Sequence, residues 1–340
     1  MHVFVTGGAG FIGSNFIRFV FEADPAVRVT NFDLLTYAGN PANLEGVSEG
    51  ENYRFFHGDV ADRNALADAI KPDLPDAIVH FAAESHVDRS LEDAGIFVRT
   101  NVLGTQNVIE CVRHFEIKKL IHVSTDEVYG ALPDVKAPPF TESSPLAPRN
   151  PYSASKAAAD HLALAAHISL GAPIVITRSG NNYGPFQFPE KLIPLAVTNL
   201  LEGRPVPVYG RGENVRDWVH VRDHCRALWL ALERGVPGEV YNIGPGACDC
   251  VRNIDLVRTI LSAMGLGEDK IKFVTDRPGH DFRYALDVTK AKRELGFEAE
   301  IPLADGIAGT VRWYRENEQW WRDIRSGEYM NYYEKMYPGV

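Results

Sequence analysis

The chain opens on a short apolar run, residues 2–6, followed at once by a glycine-rich stretch and then by apolar residues at helical spacing over 11–20. Strand, tight turn and helix are predicted in that order. The alternation continues downstream. Residues 27–33, 53–57, 77–81, 119–124 and 173–178 are short apolar runs that read as strands, while 101–115 and the alanine-rich 152–169 carry helical spacing. Strands separated by helices predict an α/β fold built on a doubly wound parallel sheet, with binding sites at the carboxyl ends of its strands. From about Gly184 the pattern loosens, because Pro185, Pro189, Pro194, Pro205 and Pro207 break the chain into short pieces. Residues 1–183 are therefore expected to form a nucleotide-binding domain that carries the catalytic residues. Residues 184–340 are expected to form a smaller substrate-binding lobe, with some chain crossing back. Neither an internal repeat nor a low-complexity linker separates the two, so they are expected to fold as one body. The pattern over 313–321 reads as a helix used for packing and interface, and the tyrosine-rich stretch 329–337 has no assigned role.

The glycines sharpen this picture. Gly7-Gly-Ala-Gly10-Phe11-Ile12-Gly13 sits between the first strand and the first helix. One glycine permits the turn, one lets backbone N–H groups approach a pyrophosphate, and one allows close helix–strand packing, so the expected fold is of the Rossmann type. The second strand ends in Asp33, 20 residues after Gly13. A carboxylate there accepts hydrogen bonds from both ribose hydroxyls and repels a 2′-phosphate, which favours NAD over NADP. Asp59 and Val60 follow the third strand, where Asp59 could bond an adenine ring or serve only as a solvated loop aspartate.

Composition fits a soluble cytoplasmic enzyme. With 45% hydrophobic residues in 340, the chain can bury a sizeable core, and no apolar run is long enough to span a bilayer. The N-terminus reads as a strand entering the fold rather than a signal peptide. Cys111, Cys225, Cys248 and Cys250 are read as reduced thiols, since Cys248-Asp-Cys250 is too close for a usual zinc knuckle and has no matching pair. No metal is expected. The formal net charge of -10 argues against nucleic acid as a partner, while local cations leave an anionic small substrate open.

Tyr152 and Lys156 stand four residues apart on the alanine-rich helix and so share a face, where the ammonium can hold down the phenol pKa and produce a base for a hydroxyl proton. Thr125-Asp126-Glu127 follows the preceding strand. Thr125 can complete a hydrogen-bonded set with Tyr152 and Lys156. The adjacent carboxylates offer an acid and a base, because mutual repulsion and partial burial raise at least one pKa. Ala82-Ala83-Glu84-Ser85-His86 lies at another strand end, where the alanines leave room for a nicotinamide ribose and Ser85 can touch a sugar. His86 and Asp88 read equally well as structural. In the second lobe Lys191, Arg216, Asn253, Arg277 and His280 are candidates to bind a diphosphate.

These segments, together with Asp33-Leu-Leu-Thr-Tyr-Ala-Gly-Asn40, Asn181-Asn-Tyr-Gly-Pro-Phe-Gln187 and Arg277-Pro-Gly-His-Asp281, resemble the dTDP-glucose 4,6-dehydratases, a family of extended short-chain dehydrogenases/reductases. The resemblance covers nearly the whole chain. It implies oxidation of dTDP-glucose at C4 by Tyr152, Lys156 and Thr125, removal of the C5 proton by Glu127, protonation of the departing C6 hydroxyl by Asp126, and regeneration of NAD. The implied product is dTDP-4-keto-6-deoxyglucose. It further implies that Leu34, Thr36, Thr100 and Asn182 join Gly7, Gly10, Phe11, Ile12, Gly13, Asp33, Asp59, Val60, Ala82, Ala83, Tyr152 and Lys156 around the cofactor. For the sugar nucleotide it implies Ser85, Thr125, Asn181, Lys191, Leu192, Arg216, Asn253, Asp276, Arg277 and His280, with Pro207, Val208 and Tyr209 near the base, and it implies a homodimer. His220, Cys250 and Phe282 depart from the family pattern, which bears on nucleotide recognition. Three alternatives stand beside this reading. A dehydratase for GDP-mannose would usually use NADP and would not carry Asp33 in this context. A nucleotide-sugar 4-epimerase would share the fold, NAD and Tyr152/Lys156 but would have no use for Asp126 and Glu127. A nucleotide-sensing protein without chemistry would not need the full catalytic set.

Overall fold

The computed structural model describes residues 1–47, 50–246, 250–276 and 281–325. Strand β1 (His2–Thr6) is fully buried and runs into helix α1 (Phe11–Ala23), whose apolar face covers the sheet. Strands β2 (Arg28–Asp33) and β3 (Tyr53–His57) follow, then helix α2 (Arg63–Ile70), capped by the Asp62 carboxylate, and the buried strand β4 (Ala77–His80). Short helices α3 (Val87–Glu92) and α4 (Ala94–Phe97) lead through a π-helical stretch, Val98–Leu103, into α5 (Gly104–His114). The helix expected from Asn101 is thus wider over its first turn. The Asn101 amide donates to Glu84 O and Ser155 Oγ, which draws this turn toward the neighbouring loop and helix.

Strand β5 (Lys119–Thr125) precedes α6 (Pro151–Leu170), the longest helix among the described residues. Asn150 caps it, Pro151 occupies its first turn and Gly171 ends it at φ 68°. Strands β6 (Ile174–Ser179) and β7 (Asn181–Tyr183), helix α7 (Leu192–Leu201), and strands β8 (Val206–Tyr209) and β9 (Val215–His220) come next. Then follow α8 (Val221–Arg234), β10 (Val240–Ile243), β11 (Cys250–Arg252), α9 (Asn253–Met264), β12 (Ile271–Val274), α10 (Thr289–Leu295), α11 (Leu303–Glu316) and α12 (Glu318–Ile324). The single helix expected over 313–321 breaks at Asn317, whose side chain turns back to Trp313 O and leaves α12 on a new axis.

Seven parallel strands form the central sheet in the order β10-β6-β5-β4-β1-β2-β3. Its order reverses between β1 and β4, and a doubly wound sheet opens a crevice at such a point. One face is covered by α1 and α8 over Val3, Val5, Phe16, Val79 and Val175; the other carries α2, α5 and α6 over Phe4, Ile78, Val108 and Ile174. A separate core around Tyr183, Val197, Trp218, Leu256 and Trp321 holds the second lobe. After Gly184 the chain also contributes to the central sheet, since β10 extends it beside β6 and α8 packs on α1.

Candidate active site

A cavity of about 530 Å³ lies at the carboxyl ends of the central strands and reaches into the second lobe. On its cofactor side the glycine turn is shaped by close contact. A Cβ on Gly7, at φ +72°, would stand 2.6 Å from Ala82 N, and one on Gly13 would stand 2.2 Å from Gly7 O. Gly10 begins α1 without a side-chain cap, and the first turn carries no acidic residue. The unused N–H groups of that turn and the helix dipole therefore present positive potential to the cavity, which suits a diphosphate. The turn is tied to the sheet by side chains. Gly8 N donates to Asn31 Oδ1 (3.0 Å), Ala9 N to Asp33 Oδ2 (2.9 Å), and Asn43 Nδ2 to Ala9 O (2.8 Å).

Asp33 also accepts from Leu35 N at 2.8 Å, and burial raises its carboxyl pKa despite both backbone donors. It lines the cavity with Leu34, Thr36, Val60, Ala82, Ala83, Thr100 and Asn182. Asp59 lines it too, but its carboxylate pairs with Arg99 Nη2 at 2.7 Å and accepts from Ala61 N at 2.8 Å, an arrangement that anchors the loop. The residues present on this side fit a dinucleotide: an uncapped helix start, a buried acid at the end of β2, and small residues where β4 ends.

Tyr152 and Lys156 lie in the first two turns of α6 with both side chains buried against β5 and Thr125. Beside its expected place next to Tyr152 on α6, Lys156 has a partner on β5. Lys156 Nζ donates to Val123 O at 2.8 Å, and burial lowers it to about 8, with Asp160 opposing. Burial and then the Glu127 charge push the Tyr152 phenol well above its usual range, and Thr125 is the group that draws it down by a hydrogen bond. In this geometry Lys156 acts first as an anchor between α6 and β5.

The two carboxylates sit in unlike surroundings, as acid–base division requires. Asp126 is 2% exposed, and burial followed by the charges of Glu127 and Asp217 raises its pKa well above the usual carboxylate value. Thr125 Oγ1 donates to its Oδ1 at 3.2 Å, while its buried Oδ2 has no protein partner. Glu127 is half-buried and receives Asn150 Nδ2 at 3.4 Å on Oε2. Burial thus favours the protonated form of Asp126, while the neighbouring Glu127 stays partly open.

This raised pKa has a consequence for stability. An acid whose folded pKa lies above its unfolded value binds more protons when folded, so its contribution is greatest at low pH and falls as pH rises toward the folded value, by about 1.4 kcal/mol per unit. Asp126→Asn cannot ionise and is expected to melt higher than the parent, by a margin that widens from pH 5 to pH 8. Calorimetry at the two pH values checks this; a constant or shrinking margin would contradict the buried, protonated carboxyl.

On the substrate side Ser85, Asn181, Lys191, Leu192, Pro207, Val208, Tyr209, Arg216 and Asn253 line the same cavity. Lys191 Nζ donates across it to Ser85 O at 3.1 Å. Arg216 is buried on the Tyr284 ring, 4.5 Å from its centroid, and donates to Val215 O and Asp281 O at 2.8 and 2.9 Å. Asn181 Oδ1, Asn253 Oδ1 and Trp218 Nε1 are buried without protein partners, as expected of atoms that await a polar ligand. Asp276 is the exception among the described candidates. Its carboxylate faces Gly210 beyond the end of β8 rather than the cavity wall. Arg277 and His280 lie outside the described residues, as does Cys248.

Several wall residues carry no motif of their own. Glu190 is buried and raised to about 7 by burial, with Tyr37 OH donating to Oε1 at 3.1 Å. Tyr284 is held by Asp281 Oδ2, whose other oxygen meets Arg149 Nε at 3.2 Å. Glu190 stands beside Lys191 and Asp281 closes Arg-Pro-Gly-His-Asp, so nearness to a named motif was the only signal available for them.

A nucleotide-binding glycine turn, a Tyr-x-x-x-Lys helix and an added acid–base pair define the class as an extended short-chain dehydrogenase/reductase that also performs elimination. Residues 4–310 match the family described as GDP-mannose 4,6 dehydratase. A dTDP-glucose 4,6-dehydratase of Streptomyces niveus is 50% identical over 330 residues, 96% of either chain. The crystal structure of the Streptomyces venezuelae dTDP-glucose 4,6-dehydratase with NAD bound superposes with a TM-score of 0.90 at 50% identity, covering 95% of this chain and 100% of that one. The Thermotoga maritima UDP-glucose 4-epimerase is more distant in sequence, at 30% identity and a TM-score of 0.86 over 94% and 100% of the two chains. The chain belongs to the dTDP-glucose 4,6-dehydratase family.

Proposed function

We propose that the protein converts dTDP-glucose to dTDP-4-keto-6-deoxyglucose with NAD as a recycled cofactor, a hydro-lyase reaction of deoxysugar biosynthesis. The observation that carries this reading is the pair Asp126 and Glu127 beside Tyr152 in one cavity, with burial raising the Asp126 carboxyl pKa. An epimerase needs only the proton transfer at the 4-hydroxyl. A carbon acid and a poor leaving group call for two further groups, one basic and one acidic.

In this reading Tyr152 takes the proton of the 4-hydroxyl, assisted by the Thr125 hydroxyl, and Lys156 fixes α6 against β5. Glu127 removes the C5 proton once C4 is a ketone. Asp126 gives its proton to the C6 oxygen as it departs, a role that its raised pKa favours. NAD, when bound, would supply the redox step at C4 and its reversal at C6, where return of hydride is matched by reprotonation of C5 from solvent. The turn from Gly7 to Gly13 with Asp33, Leu34, Thr36, Val60, Ala82, Ala83, Thr100 and Asn182 would hold it. Ser85, Asn181, Lys191, Leu192, Pro207, Val208, Tyr209, Arg216 and Asn253 would hold the sugar nucleotide.

The division at 183/184 into a nucleotide-binding domain and a substrate lobe is part of the proposal, supported by the separate second core. A homodimer is supported by Val98 and Leu103, exposed by 56% and 48% beside α5. A cytoplasmic location is supported by the buried free thiols of Cys111 and Cys225; among the described residues no helix is long and apolar enough to cross a membrane.

Mass spectrometry and proton NMR of dTDP-glucose, UDP-glucose and GDP-mannose after incubation with the protein test the reading. Loss of one water from dTDP-glucose is expected. Isomerisation without loss of water would replace the proposal with the epimerase, and preferential dehydration of another nucleotide would move the substrate.

A further inference from the structure

Asn150 stands at the junction of α6 with the catalytic turn, and the two ends of its amide serve different elements. Its Oδ1 accepts from Ser153 N at 2.8 Å, and Ser153 Oγ accepts from Asn150 N at 3.2 Å, a capping box that satisfies the first turn of α6. Its Nδ2 donates to Glu127 Oε2 at 3.4 Å. The orientation is forced, because the reversed amide would set Nδ2 against the Ser153 N–H and an oxygen against the carboxylate. Capping alone needs only an acceptor, which Ser, Thr or Asp supplies equally well. The donor end is surplus to the cap, and it is aimed at the carboxylate.

We propose that Asn150 is a positioning residue that holds the Glu127 carboxylate toward C5 of the substrate, so that the helix bearing Tyr152 also fixes the orientation of the base. Glu127 sits on a short 3-10 turn, Asp126–Tyr129, and its backbone N–H is already spent on Thr125 Oγ1 at 3.3 Å. The side chain therefore depends on a partner from outside the turn. A contact of 3.4 Å is at the long end for a hydrogen bond, and such contacts tighten when substrate is bound. The inference rests on the reading of Glu127 as the C5 base.

Two substitutions separate holding from capping. Asn150→Ser keeps an acceptor for the cap and loses the amide donor. Asn150→Asp keeps an equally good cap, gains a favourable charge at the helix start and turns the donor into a second carboxylate facing Glu127. The parent and both variants are compared by melting temperature, by KM and kcat on dTDP-glucose, and by the isotope effect on kcat from C5-deuterated substrate. Asn150→Ser is expected to lose about tenfold in kcat at unchanged KM, with a larger isotope effect because C5 deprotonation becomes slower. Asn150→Asp is expected to lose about a hundredfold while melting at or above the parent temperature. Parent-like kcat in Asn150→Asp, or losses that follow melting temperature, would overturn the proposal and leave Asn150 as a cap. Glu127→Gln keeps the two failures apart. Retained C5 chemistry in that variant removes the base itself, whereas lost chemistry there with parent-like Asn150 variants removes only the positioning role.

Discussion

Glu127→Gln is expected to abolish dehydration, with kcat on dTDP-glucose falling about a thousandfold, while NAD remains bound and the protein melts within a few degrees of the parent. General-base assistance to a carbon acid is worth two to four powers of ten, and an amide of the same shape cannot accept the proton. Glu127 is half-buried and contributes one long hydrogen bond to the fold. Its loss therefore bears on chemistry far more than on stability. The C4 step should survive, so a slow build-up of absorbance at 340 nm is the signature to seek in a single-turnover mixture. Unchanged turnover would remove Glu127 from its role, and loss of cofactor along with activity would show that the residue is structural.

Asp160→Asn is expected to cost about 3 kcal/mol or more of stability and to depress activity, although Asp160 touches no ligand. Burial alone would raise its carboxyl, but the His122 ring and the Arg178 guanidinium bring it down to about 2, so it is a buried anion. Arg178 Nε donates to its Oδ2 at 2.8 Å, and His122 Nε2 lies 3.3 Å from Oδ1. Breaking such a pair leaves Arg178 buried and uncompensated, which typically costs 3–5 kcal/mol. One turn back on the same helix, Lys156 loses the carboxylate that opposes the effect of burial, and its value drops below about 8. The ammonium is then lost at lower pH, so the deficit in activity should be larger at pH 8 than at pH 6.5. Thermal melts and a pH profile check both parts. A parent-like melting temperature would contradict the buried pair, and a uniform deficit across pH would contradict the link to Lys156.

Local chemistry made much of this protein legible in its sequence. The strands announced themselves as apolar runs, and the glycine turn and Tyr152/Lys156 are compact motifs whose spacing alone sets their geometry. Adjacent carboxylates after a strand suggested an acid and a base, and the fold sets them apart by burying Asp126 while leaving Glu127 half-open. What the sequence hid depends on tertiary neighbours. Helical spacing places Lys156 beside Tyr152, but it could not show that one donor of the ammonium also bonds a carbonyl of β5. Arg216 was expected to offer its fork to phosphate; its stacking on Tyr284 and its bonds to backbone carbonyls at the cavity wall were not legible from the sequence. Glu190, Asp160 and Asn150 draw their roles from burial and from partners 18 to 153 residues away, and no spacing rule reaches that far. The π-helical turn before α5 has the same origin, since Asn101 bonds across to Glu84 and Ser155.

The most direct test of the central claim is proton NMR of dTDP-glucose incubated with the purified protein in D₂O, without added NAD. The account predicts dTDP-4-keto-6-deoxyglucose carrying deuterium at C5, formed by cofactor that the protein retains and recycles. A product with protium retained at C5, or dTDP-galactose with its C6 hydroxyl intact, would contradict it.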